Sequence, residues 1–285
     1  MSLIKKLLPV KSGSGFEMEG YGIWGCAVIK DENGRYCMYA ARSDSFFTDH
    51  MKSAEIVLAV TDDLDMPFKY EKTVISHRAP SYWDGMTAYN PAVIYFDGQY
   101  VIFYSGSDGQ IGYAVSESAH GPFERCDTPI SLPFKAYNPS AVVDMHGMLR
   151  LFVRDENKHV FIAEAKKPDG DFSLLRKDLF PLGQIEDMFV YPVRFGYSMI
   201  ALDTEGMYGG LKDAGSIFRS ADGLYWHPAS PALAYSFTVE LGNGGGMTLD
   251  RREHPVVYSD ETGKYLFTAC QLGDRVWNMV QRVME

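Results

Sequence analysis

Four carboxylic acids, Asp84, Glu186, Asp187 and Glu253, and the histidine His254 stand at or beside short polar motifs that recur along the chain. Carboxyl groups gathered from such motifs suit the cleavage of an acetal bond. One acid gives a proton to the leaving oxygen, and a carboxylate on the other side activates water or attacks the carbon. The donor must keep its proton near neutral pH, which burial beside a second carboxylate achieves. Glu186 and Asp187 are adjacent, so on a regular strand they point to opposite faces. An irregular strand start would bring both to one wall. The plain alternative pairs one of them with an arginine such as Arg194 or Arg219. Glu253, between Arg252 and His254, fits a catalytic acid or a surface charge cluster, and His254 fits a proton donor or a structural role. Asp84, between Trp83 and Gly85, fits a base or a turn residue.

Neutral groups near the same motifs are suited to binding. The rings of Trp24, Trp83, Tyr89 and Tyr137 can stack on the apolar face of a pyranose, although core packing is the default for any one aromatic. Asn90 and Asn138 each donate and accept, as sugar hydroxyls require, and each precedes a proline that can simply tie down a strand entrance. Arg42 offers a fork of donors to a carboxylate or hydroxyls, with Glu55 as its alternative partner in a solvated pair. No His, Asp and Glu spacing marks a catalytic metal. No cofactor is expected, and an ion on a shared axis is left open. Gly242 and Gly244–Gly246 lack the strand-then-helix setting of a phosphate loop and are expected in a flexible loop on one face.

Strands must carry these residues. Tyr89-Asn90-Pro91 and Tyr137-Asn138-Pro139 lie 48 residues apart, and Ile185-Glu186-Asp187 follows after another 48. Trp24-Gly25-Cys26 precedes them and Arg252-Glu253-His254-Pro255 follows, at wider intervals of about 65. After each anchor come an apolar run, a Gly-bearing turn such as Asp97-Gly98, and an aromatic-rich return run such as Tyr100–Tyr104. Such alternation around Asn-Gly, Asp-Gly or His-Gly turns is a hairpin signal. Helical periodicity is sustained nowhere. A period near 50 with several short strands per unit predicts an all-β, five-bladed β-propeller of a single domain. Its blades are expected at approximately 16–75, 76–133, 134–182, 183–236 and 250–285. Leu3–Val10 is available to close the ring against Val276–Val283.

Composition narrows the partners. With 46% hydrophobic and 22% charged residues among 285, the chain has ample mass for a core. Its 18 Tyr and 17 Phe suit pleated strands and ring-binding clefts. A net charge of −10 argues against a nucleic-acid partner. No window of about 18 apolar residues is present, so no membrane span is expected. The apolar run after the early lysines is too short for a signal core, which implies a cytoplasmic protein, or a secreted or periplasmic one whose leader has been removed. Cys26, Cys37, Cys126 and Cys270 show no paired spacing and are expected to be reduced packing residues. Oligomeric state is left open.

Several segments together carry a family resemblance. They are Ile23–Lys30 with Gly34-Arg35-Tyr36, Ser53–Ile56, Tyr82–Gly85 before Asn90-Pro91, Gly121–Phe123, Glu186-Asp187, Ser220–Gly223 with Trp226, and Arg252–Pro255. In this order the chain resembles the five-bladed β-propeller glycoside hydrolases, the group holding glycoside hydrolase families 43, 32, 62, 68 and 117. The Glu-Asp and Arg-Glu-x-Pro patterns are most similar to the family 117 side, which acts on anhydro-galactose-containing oligosaccharides. The resemblance implies a glycosidase cleaving a small oligosaccharide with inversion. It places Glu186, Asp187 and Glu253 at the central channel, with Arg42 and Glu55 near it. One departure is chemical: these enzymes carry an Asp base at the first anchor, where this chain has Trp24-Gly25-Cys26. Asp84 is the expected substitute. Tyr89 stands where family members often have His. The alternatives are a carbohydrate-binding propeller without catalysis and a glycoside phosphorylase on the same fold.

Overall fold

A computed structural model describes residues 3–44 and 53–284 of the chain. Nearly all of them lie in strands or tight turns. The first sheet holds β1 (Gly22–Lys30), β2 (Tyr36–Ser43), β3 (Glu55–Thr61) and β4 (Lys69–Ile75). The second holds β5 (Tyr89–Phe96), β6 (Gln99–Ser105), β7 (Ile111–Ser116) and β8 (Glu124–Arg125). The third holds β9 (Tyr137–Val143), β10 (Leu149–Arg154), β11 (Val160–Ala165) and β12 (Ser173–Arg176). The fourth holds β13 (Ile185–Pro192), β14 (Tyr197–Asp203), β15 (Ala214–Ser220) and β16 (His227–Tyr235). A small hairpin, β17 (Thr238–Glu240) and β18 (Gly246–Thr248), precedes the last sheet of β19 (Arg251–Asp260), β20 (Gly263–Leu272) and β21 (Arg275–Val283). Every pairing within these sheets is antiparallel and sequential, so the molecule is a five-bladed β-propeller of one domain.

The second strand of each blade explains how the ring holds together. In β6, Val101 and Phe103 pack toward the third blade, while Ile102 and Tyr104 pack toward the first. In β2, Met38 and Ala40 meet the fifth blade, and Cys37 and Tyr39 meet the second. Successive side chains of a strand point to opposite faces, and here both faces are covered by neighbours. Hence these strands read as unbroken apolar runs rather than as alternations. The other gaps between neighbouring blades are filled in the same manner.

The ring is completed inside the fifth blade. Leu7 bridges Val283 and Phe16 bridges Asn278, both antiparallel, so the N-terminal segment edges β21. Phe16 and Asn278 exchange both backbone hydrogen bonds, at 2.8 and 3.0 Å. Gly242–Gly246, expected as a flexible loop, instead forms the tip and return of the β17–β18 hairpin. Gly242 donates its N–H to Val10 O at 2.8 Å, tying that tip to the N-terminal segment.

Each innermost strand carries the same defect. A register shift interrupts β1 after Trp24, β5 after Tyr89, β13 after Glu186 and β19 after Glu253, and the β9–β10 pairing breaks at the matching point. At each break one residue is left-handed: Gly25 (φ 55), Asn90 (φ 49), Asn138 (φ 53), Asp187 (φ 53) and His254 (φ 47). Short polar side chains tolerate this region better than branched ones, which accounts for the Asn, Asp and His there. A bulge of this kind bends the strand and re-aims a side chain. Five equivalent bulges therefore turn five side-chain positions toward the axis. Among the described residues, no helix is long and apolar enough to cross a membrane.

Candidate active site

The axial side chains form a hydrogen-bonded arc. Asn90 Nδ2 donates to Asn138 Oδ1 at 2.7 Å, and Asn138 Nδ2 donates to Asp187 Oδ1 at 2.6 Å. Asp187 Oδ2 accepts the backbone N–H of His254 at 3.3 Å, and His254 Nδ1 lies 3.4 Å from Oδ1. The arc stops at Gly25. A Cβ placed there would lie 3.2 Å from Asn90 Oδ1 and 3.5 Å from His254 Cγ. Glycine leaves the fifth place of the arc without a side chain. Beneath it the axis holds a void of only about 40 Å³, lined by the anchors and the residues that follow them. Little space is left along the axis at this level.

The residues just before the left-handed positions are Trp24, Tyr89, Tyr137, Glu186 and Glu253, with Trp24 and Tyr89 buried and the other three partly exposed. Three rings thus stand on the side of the first three blades, and two carboxylates on the other. Glu186 lies between Lys158 Nζ at 2.6 Å and Arg154 Nε at 3.3 Å. Glu253 accepts both arms of Arg251, at 2.9 and 2.8 Å. The same two arginines cover the aromatic side, Arg251 4.6 Å over the Trp24 ring and Arg154 5.0 Å over Tyr137. The Trp24 and His254 rings meet edge to face at 6.0 Å.

Asp187, Glu253 and His254 bring one donor atom each within 4.8 Å of one another. Burial pushes the Asp187 carboxyl up to about 7, and the charge of Glu186 adds to the rise. Burial also raises Glu253, with Asp187 adding to it and the Arg251 hydrogen bonds opposing it. His254 is driven down to about 4 by burial, against the pull of Glu253 and Glu186. At neutral pH the imidazole is therefore uncharged. The cluster amounts to two carboxyl groups crowded together with a neutral histidine. A cation there would have to compete with the N–H groups of Asn138 and His254 for Asp187.

The remaining candidates are engaged in contacts of their own. Asp84 is fully buried in the seam between the first two blades, and both its oxygens are taken. Arg78 Nε donates to Oδ1 at 2.5 Å, and Tyr104 Oη donates to Oδ2 at 2.7 Å. Arg125 adds a third contact at 3.4 Å. Such an aspartate holds two outer loops to a blade and has no free oxygen for a substrate. Trp83 is stacked on Tyr104 at 5.0 Å between centroids and gives its N–H to Cys126 O, so its ring is core. Arg42 and Glu55 face each other across β2 and β3 at 2.9 Å. Arg42 also lies over the rings of Tyr21 and Tyr70, and Glu55 accepts the His77 N–H, which makes the pair a brace for the first blade's upper edge. Neither Arg194 nor Arg219 reaches Glu186; Arg154 and Lys158 do so instead.

Arg154, Lys158 and Arg251 were not legible as site residues. Arg154 ends β10 opposite Tyr137 in register, and Arg251 stands two positions before Glu253 on one strand face. Both signals exist in the sequence only once the anchors are known to be strand bulges.

Comparison with known proteins agrees with the architecture. A thermostable family-43 glycoside hydrolase is 15% identical, with 96% of this chain and 92% of that chain covered at a TM-score of 0.70. An endo-arabinase from Bacteroides thetaiotaomicron VPI-5482 is 16% identical over 96% and 98% of the two chains, TM-score 0.67. A family 117 glycoside hydrolase from Zobellia galactanivorans is 16% identical over 97% and 88%, TM-score 0.67. No family model and no curated protein matches the sequence. At these identities the likeness is one of fold: the chain has the fold of the five-bladed propeller glycoside hydrolases.

Proposed function

We propose that the protein is a glycoside hydrolase that cleaves a small oligosaccharide at the mouth of its axis, with Glu253 as proton donor and Glu186 as the carboxylate that activates water. The observation carrying this reading is Glu253 held within 4.8 Å of the buried Asp187. Burial raises the Glu253 carboxyl and the neighbouring Asp187 adds to the rise against the Arg251 hydrogen bonds, a shift in the direction a proton donor needs. Asp187 is a positioning residue: Asn138 and His254 occupy its oxygens, and it stands beside Glu253 in the same cluster. Arg251 fixes the Glu253 carboxyl in place. Lys158 and Arg154 hold Glu186, and Tyr137, the partly exposed ring of the three, offers a face to the sugar. A water-activating carboxylate implies inversion at the anomeric carbon. The similar structures, a family-43 glycoside hydrolase and an endo-arabinase among them, support an oligosaccharide as substrate class.

Release of reducing sugar from a panel of arabino-, xylo- and agaro-oligosaccharides tests this, with the anomeric proton of the first product followed by NMR. Turnover by the wild type that survives unchanged in both Glu253→Gln and Glu186→Gln would remove the two residues from the mechanism. Gly25 at the first anchor favours a second reading, a propeller that binds sugar without cleaving it. Calorimetric binding of an oligosaccharide with no product after prolonged incubation would select that reading.

A further inference from the structure

A second set of metal-ligating side chains lies at the far end of the blades from the mouth. β1 runs from the axis at Gly25 to Lys30, and Asp31 opens the turn that follows. Cys37 lies at the start of β2, Glu71 on β4, and His120 in the loop between β7 and β8 of the next blade. That loop is fixed against the first blade. Tyr39 Oη donates to Ala119 O at 2.5 Å, and Ser118 Oγ accepts the His120 N–H at 3.1 Å. His120 therefore arrives at a defined place in the seam between two blades.

Its two ring nitrogens have different surroundings. Nδ1 lies 2.8 Å from Glu71 Oε1, a contact that places the proton on Nδ1. A carboxylate behind a histidine in this way sets the tautomer of a metal ligand and raises its basicity. Nε2 then faces Asp31 Oδ2 at 3.0 Å and Cys37 Sγ at 4.0 Å. Tetrahedral zinc spaces such N, O and S donors by about 3.3–3.6 Å, and the three donor atoms here already lie within 4.8 Å of one another.

The space between them holds the head of Arg35. Arg35 Nε donates to Asp31 Oδ2 at 3.0 Å, and its NH2 group lies 2.9 Å from His120 Nε2. These contacts cannot all be favourable. With a proton on Nε2, the ring donates to Asp31 and confronts the guanidinium. Without one, it accepts from Arg35 and sets a lone pair against the Asp31 oxygen. A metal cation in place of the guanidinium satisfies Asp31, His120 and Cys37 together. Arg35 is 39% exposed, so its side chain has room to swing outward.

We propose that Asp31, Cys37 and His120 form a zinc-class divalent metal site between the first two blades, oriented by Glu71 and occupied in the absence of metal by the Arg35 guanidinium. Chelator-treated full-length protein is titrated with Zn²⁺ alone, in competition with a chromophoric chelator. One zinc per chain is expected. Affinity should fall at least 10-fold in Cys37→Ser and in His120→Asn and rise several-fold in Arg35→Ala, which frees the ligands. Co²⁺ should give the wild type a near-ultraviolet thiolate-to-metal band that Cys37→Ser lacks. His254→Ala should bind as the wild type does, which separates this site from the axial cluster. Should Cys37→Ser fail to fold, the wild-type cobalt band and Arg35→Ala decide. No stoichiometric uptake, an uptake indifferent to Cys37 and His120, or one lost in His254→Ala would each overturn the proposal.

Discussion

Asp84 and Asp187 are both buried aspartates within a few residues of an anchor, yet their surroundings make them opposites. Asp84 faces Arg78, Arg125 and the Tyr104 hydroxyl, so its charge is neutralised where it lies. Asp187 has only an amide, a backbone N–H and a neutral imidazole in contact, with Glu253 pressing from within 4.8 Å. Burial is common to both. What differs is the sign of the nearest charge, and that difference divides a brace from a proton-handling cluster.

Substitutions can break this contrast. The largest effect is expected for Glu253→Gln, which removes the donor beside Asp187 and should lower turnover by about 10²–10⁴-fold with the fold intact by circular dichroism. At the other aspartate the loss should be in stability. Asp84→Ala removes the buried carboxylate shared by Arg78, Arg125 and the Tyr104 hydroxyl, while Arg78 keeps Asp127 at 2.8 Å, and should cost about 1–3 kcal/mol in chemical denaturation with activity per folded molecule kept. Equal activity losses in the two variants would erase the distinction.

The pH dependence of stability sharpens it further. Asp187 is raised to about 7 in the fold, so its contribution is present below the unfolded value near 4 and is lost as pH rises through 7. His254 is depressed to about 4, so its contribution is present above the unfolded value near 6.5 and is lost as pH falls through 4. The two slopes oppose each other between about pH 4 and 6.5, with Glu253, also raised, adding to the Asp187 side. His254→Gln removes the opposing slope and leaves the raised Asp187 and Glu253, so stability should then fall as pH rises from about 4 to 7. A rising or flat profile in that variant would contradict the assignment. The smallest effect belongs to Gly25→Ala, a Cβ at φ 55 set 3.2 Å from Asn90 Oδ1, with a cost of roughly 1–2 kcal/mol in melting experiments.

Much of this architecture is legible in the sequence because the repeat is written in anchors. The pairs Asn90-Pro91 and Asn138-Pro139, with Asp187 and His254, occupy the bulge of each inner strand, and the turn glycines mark its return. The same reading does not distinguish Asp84 from Asp187, since both follow an aromatic or acidic neighbour and precede an anchor or an apolar run. What separates them is contact with Arg78 and Arg125, 6 and 41 residues away. Likewise Lys158 reaches Glu186 from a neighbouring blade, and no local pattern announces a pairing set by ring geometry. The fourth strands of the blades are short or polar, such as Glu124–Arg125, and lack the apolar run that reveals the inner three.

The seam between residues 7–16 and β21 has a consequence for how the molecule comes into being. Emerging from a ribosome, the first residues to appear must wait, unpaired along that edge, until Asn278–Val283 is synthesised. Blades one to four can stack in order of translation, but the circle locks only with the final strand. Removing that strand would therefore uncouple both ends of the chain at once, leaving an open arc where a closed wheel had been.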